Sequence, residues 1–115
     1  MEKIRLLSLC AKESTFAQGI ALACEIKLTN VDSITFSKGE VKSFPLETVR
    51  GCDCFIIAQY HNEESVNDQL IRIIIFVDSL IRASAKKIIL VMPYFPYMRQ
   101  DYRSKHREPI SARVI

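Results

Sequence analysis

Arg99, Gln100 and Asp101 stand a few residues beyond an apolar run, Lys87–Met92, and theirs is the chemistry easiest to name. Arginine presents a planar fork of donors that matches phosphate oxygens, and a glutamine amide can both donate to and accept from a base or a ribose. On their own the three also fit a solvated basic loop. Tyr94, Phe95 and Tyr97 beside them are of a size to stack on a base, though aromatics at a strand end serve as readily to plug a core. Arg103, Lys105 and Arg107 follow at every second position, either as a second anion site or as a surface charge run. Residues 94–115 hold five Lys/Arg against two acids, whereas the other 93 residues hold eleven of each. All of the formal net charge of +3 therefore sits in this segment, which points to an anionic ligand, most simply a phosphate.

A second candidate is the turn Phe36-Ser37-Lys38-Gly39-Glu40, whose aromatic ring and carboxylate would cover a base and accept from its amino group. A plain hairpin turn explains the same residues. Neither common Gly-rich phosphate loop is present, because the chain has only Gly19, Gly39 and Gly51. No clustered carboxylate pair and no Ser/His/Asp set appears. Of the four cysteines, Cys52 and Cys54 are two apart and would share one face of a strand. Neither His61 nor His106 stands at a zinc-ligand spacing from a cysteine, so reduced thiols acting as small apolar residues are expected.

Composition sets the frame. At 115 residues, 49% apolar and 25% charged, the chain is one soluble globular domain's worth. Its most apolar window, Leu70–Ile81, is interrupted by Arg72 and Asp78 and falls short of the ~20 apolar residues a membrane span needs. No cleavable leader is expected at the amino terminus, which leaves the cytoplasm as the default location. A charge of +3 is too weak to imply nucleic acid.

The elements that must position these residues follow from periodicity. Strands are expected at Lys3–Leu9, Val31–Phe36, Val41–Pro45, Cys54–Gln59 and Lys87–Met92. Val31–Phe36 and Val41–Pro45 form a hairpin about the turn. Helices are expected at Ser14–Cys24 and Val66–Ser84, the second capped by Ser65 or Asn67. Its apolar positions Leu70, Ile73, Ile74, Val77, Leu80 and Ile81 recur at helical spacing, with Gln69, Arg72 and Arg82 elsewhere. Pro109 marks a further helix start, from which the chain looks cut in mid-element. Alternating strands and helices predict an α/β domain with a mostly parallel sheet, and loops at the carboxyl ends of such strands are where ligands bind.

Six blocks taken in order carry a family resemblance: Phe36–Glu40; Glu47–Asp53 before the apolar strand; Val66-Asn67-Asp68; Val77–Leu80 with Arg82–Lys86; Met92–Asp101; and Arg107–Ala112. Together they resemble the amino-terminal domain of ribose-phosphate pyrophosphokinase. The resemblance covers nearly the whole chain and is weakest over Met1–Lys27. It implies a phosphoribosyltransferase-like α/β domain, 1–115, with a protruding hairpin. It also implies transfer of pyrophosphate from ATP to ribose 5-phosphate, with Mg2+. By resemblance Phe36, Lys38, Gly39, Glu40, Arg99 and Gln100 bind ATP, and Arg50, Arg103 and Arg107 bind a regulatory phosphate or ADP. The catalytic and metal-binding residues of the family fall outside this stretch, so this chain alone would supply half a nucleotide site and no turnover. The family completes that site across subunits, which implies a homo-oligomer, a hexamer built from dimers. Lys38 stands where the family usually has Asp or Asn, and Ser104 where an acid is common. A non-catalytic, synthetase-associated regulatory subunit is the alternative reading.

Overall fold

The computed structural model describes residues 3–9 and 15–93, together with Arg107 and Arg113. Its centre is β5 (Asp53–Ile57), which runs parallel to β1 (Ile4–Ser8) on one side and β6 (Lys87–Val91) on the other. β1 in turn pairs in parallel with β2 (Leu28–Thr29), giving the order β2-β1-β5-β6. The expected α/β class and parallel sheet are both found. β2 is a two-residue strand that periodicity overlooked, since two residues hold no alternation to detect.

Alternation along the strands separates two cores. Leu7, Cys54 and Ile56 face α2 (Val66–Arg82), where Phe76 and Leu80 meet them. Leu6 and Ile57 point the other way, towards Ala17 of α1 (Thr15–Cys24). The sheet is thus covered by a helix on each face, which is why its central strand reads as an unbroken apolar run. β6, an edge strand among the described residues, is only half-buried, and Leu90 is exposed on it.

Ser65 is the residue that caps α2: its Oγ accepts from the Asp68 backbone N–H at 3.1 Å. At the other end Ser84 takes the left-handed conformation (φ 67°) usual for glycine. Ala85 N–H donates to Leu80 O and Ser84 N–H to Ile81 O, closing the last turn. The buried stripe of α2 is Ile73, Phe76 and Leu80. Ile74 and Ile81, two of the six apolar positions that recur at helical spacing, are exposed, and Phe76, outside that set, takes the interior.

Cys52 and Cys54 lie in the same core cluster, as their spacing predicts, and both are free thiols. Burial, reinforced by Cys52, pushes the Cys54 thiol up to about 11, so it stays protonated and unreactive. A raised thiol pKa stabilises the fold fully below the unfolded value near 9.0, and that contribution is lost as pH rises towards 11. The unfolding free energy of the wild type, from urea titrations, should therefore fall between pH 8 and pH 11 by an extra ~2–3 kcal/mol relative to Cys54→Ala. Parallel pH profiles for the two proteins would contradict this.

Candidate functional site at the carboxyl edge of the sheet

β2 leads through Asn30 directly into β3 (Val31–Thr35), which pairs antiparallel with β4 (Val41–Pro45) as a separate two-stranded hairpin. The hairpin therefore springs from the carboxyl edge of the parallel sheet. Its base is tied off there: Leu46 N–H donates to Asn30 O at 2.8 Å, and the Asn30 N–H donates to Glu47 Oε2 at 2.7 Å.

The tip is the turn read from the sequence. Phe36 N–H donates to Glu40 O at 2.7 Å and Gly39 N–H to Phe36 O at 2.9 Å. Gly39 has a φ of 92°, and a Cβ there would meet nothing within 4 Å. Glycine is thus required by the backbone conformation rather than by lack of space. Phe36, Lys38, Gly39 and Glu40 are all exposed, and half of the Phe36 surface (50%) is open to solvent. An aromatic ring left out at a hairpin tip beside a carboxylate is suited to cover a flat ligand or to meet another chain.

Facing the hairpin across the same edge is the loop from β5 to α2. Gln69 holds it: its Nε2 donates to both His61 O and Glu64 O at 2.9 Å, and its Oε1 accepts from His61 N–H at 3.2 Å. Arg72, one turn further on, pairs with Glu64 and donates to Ser33 Oγ and, at 3.2 Å, to Thr35 Oγ1 of β3. Sequence reasoning left Gln69 and Arg72 as polar positions on the helix. No local pattern identifies them, because their partners stand in a loop and in a strand up to 39 residues away. A groove runs between α1, the hairpin and this loop, lined by Ser8, Thr29, Ser33, His61 and Glu64 among others.

Arg50 is elsewhere. It precedes β5 and so lies at the amino edge of the sheet, where Gly51 N–H donates to Ser84 O at 2.9 Å beside the end of α2. The chain thus separates Arg50 from the hairpin by the length of the sheet. Arg107 is exposed, with a φ of 75°. Arg99, Gln100, Arg103, Ser104 and the helix start at Pro109 fall outside the described residues.

Comparison with known proteins agrees with this geometry. The family described as the N-terminal domain of ribose phosphate pyrophosphokinase matches residues 4–115. Ribose-phosphate pyrophosphokinase of Bacillus subtilis (strain 168) is 42% identical over 99 residues, covering 86% of this chain and 31% of the relative. The same-named protein of Mycobacterium tuberculosis (strain ATCC 25618 / H37Rv) is 41% identical, covering 86% and 30%. The crystal structure of phosphoribosylpyrophosphate synthetase from Mycobacterium smegmatis superposes with a TM-score of 0.87 at 32% identity, over 98% of this chain and 37% of that one. The chain thus spans about a third of the relatives it resembles, and over residues 4–115 it belongs to the family of ribose-phosphate pyrophosphokinase N-terminal domains.

Proposed function

We propose that this chain supplies one part of the ATP site of a ribose-phosphate pyrophosphokinase, which transfers the pyrophosphoryl group of ATP to the C1 hydroxyl of ribose 5-phosphate. The observation that carries the reading is the exposed Phe36–Glu40 turn, held out from the carboxyl edge of a domain of this family. In it Phe36 covers the adenine, Glu40 accepts from its amino group, and Lys38 and Gly39 shape the crest. Arg99 and Gln100 bind the phosphates and ribose, since Arg99 follows the carboxyl end of β6 by eight residues. Arg50, Arg103 and Arg107 form a separate phosphate or ADP site that regulates the enzyme.

Magnesium would neutralise the phosphate charge during transfer. Among the described residues no three of His, Cys, Asp and Glu come together. What they do is bind and orient the nucleotide.

The reading also calls for a homo-oligomer, because a hairpin tip that projects from its own domain is placed to complete a neighbour's site. Exposed Ile71, Ile74 and Ile81 on α2, and Leu46 directly after β4, offer apolar surface for such contacts. No helix among the described residues is long and apolar enough to cross a membrane. The free thiols at Cys24, Cys52 and Cys54 suit the reducing cytoplasm.

The test is direct. The intact protein that carries this chain should form phosphoribosyl pyrophosphate from ATP and ribose 5-phosphate with magnesium, and should sediment as an assembly. If it is inactive while a catalytic subunit bound to it is active, the regulatory reading replaces this one. A clean monomer at high micromolar concentration would remove the shared site.

A further inference from the structure

The hairpin that carries the Phe36–Glu40 turn has little apolar packing to hold it. Alternate residues of a strand share a face, and the register Ser33↔Ser43 and Thr35↔Val41 puts these four on one side of the hairpin. β4 packs against α2, and Ser43 is buried there with its Oγ unpartnered. This face is therefore small and hydroxyl-rich. Of the hairpin's apolar residues, Val31 at its base packs on the main core cluster. A two-stranded hairpin is marginal by itself, so beyond the packing of β4 on α2 its angle to the sheet depends on what holds β3.

Arg72 supplies the connection. Its Nη1 donates to Ser33 Oγ and its Nη2 to Thr35 Oγ1 at 3.2 Å, reaching two residues on one face of β3. Its Nε donates to Glu64 Oε1 at 3.3 Å, and its Nη2 also donates to Glu64 Oε2. Four of the five guanidinium N–H groups are thereby engaged. The side chains of Arg72 and Glu64 are only 13% and 21% exposed. One planar group thus ties together the strand β3, the loop before α2 and α2 itself. A rigid fork fixes direction as well as distance, which a lysine ammonium on a flexible stem cannot do.

We propose that Arg72, steadied by Glu64, is a positioning residue. It sets the angle of the β3–β4 hairpin and so delivers the Phe36–Glu40 turn to the nucleotide. The second half of this statement rests on the reading of that turn as part of the ATP site.

Hydrogen exchange and substrate saturation, measured on the intact protein for wild type, Arg72→Met and Arg72→Lys, test the two halves separately. Arg72→Met keeps the apolar stem and should speed exchange across residues 31–45 by about tenfold or more, the scale of a lost charge-assisted hydrogen bond. Exchange in β5 should stay unchanged, and Arg72→Lys should resemble Arg72→Met rather than the wild type. The ATP concentration at half-saturation should rise about tenfold by the same reasoning, with that for ribose 5-phosphate unmoved. Unchanged exchange in the hairpin, or equal acceleration in hairpin and β5, overturns the positioning role. A loosened hairpin with unaltered ATP saturation overturns the link to the nucleotide. A hairpin loosened in the variants, together with a wild-type protein that binds no ATP at all, keeps the clamp and rejects the ATP reading instead.

Discussion

Phe76→Ala should destabilise the domain by about 3–5 kcal/mol, the usual range for truncating a fully buried aromatic. Phe76 is wholly buried at the centre of the cluster that joins α2 to the sheet, against Leu7, Ile56 and Leu80. Removing its ring both forfeits the transfer of apolar surface from water and leaves a cavity that β1 and β5 are too well paired to close. Domains of this size are stable by ~5–15 kcal/mol, so the loss is a large share of the total. The comparison is Ile74→Ala two residues away, which should cost less than Phe76→Ala because Ile74 is 62% exposed on its own domain. Urea unfolding followed by circular dichroism checks both. A larger loss at position 74 than at 76 would mean that α2 presents a different face to the sheet.

Arg99→Ala should weaken ATP use by roughly 30- to 1000-fold, equivalent to about 2–4 kcal/mol. Its guanidinium is the group proposed to grip the phosphates, and removing it leaves charged oxygens without their strongest donor. The defect should show in ATP saturation and turnover together, while Arg107→Ala mainly blunts control by phosphate or ADP. Initial rates over a grid of ATP and phosphate concentrations separate these outcomes. If Arg99→Ala leaves ATP kinetics intact, the Arg99–Gln100 segment is a solvated loop and the site must be sought elsewhere on the carboxyl edge. Lys38→Asp adds a comparison at the hairpin tip, where Lys38 is exposed at the crest and free to change without disturbing the core. In an enzyme adapted to Lys38 the change reduces activity or leaves it alone, whereas in a lapsed relative it improves nucleotide binding.

The sequence by itself determined the order and kind of nearly every element. β4 was legible to the residue, Val41–Pro45, because a turn with Gly39 preceded it and Pro45 closed it. The apolar run at 54–59 announced a strand covered on both sides, and the structure places β5 between two helices. The exposed turn at Phe36–Glu40 was legible as well, since a local backbone requirement for glycine leaves a local mark. The inward face of α2 was not legible. From Ile71 to Val77 every residue but Arg72 is apolar, so almost any rotation of the helix would bury apolar surface. Only packing against Leu7, Cys54 and Ile56 selects Phe76 for the interior and turns Ile74 outward. The same holds for Arg72. Its charge reads as a solvent-facing break in the helix, and its burial is decided by Glu64 and by two hydroxyls of a strand that precedes it by some forty residues. Periodicity and turn chemistry are local and survive in the linear chain. The choice among equivalent faces, and the partners of a buried charge, exist only once distant segments have met.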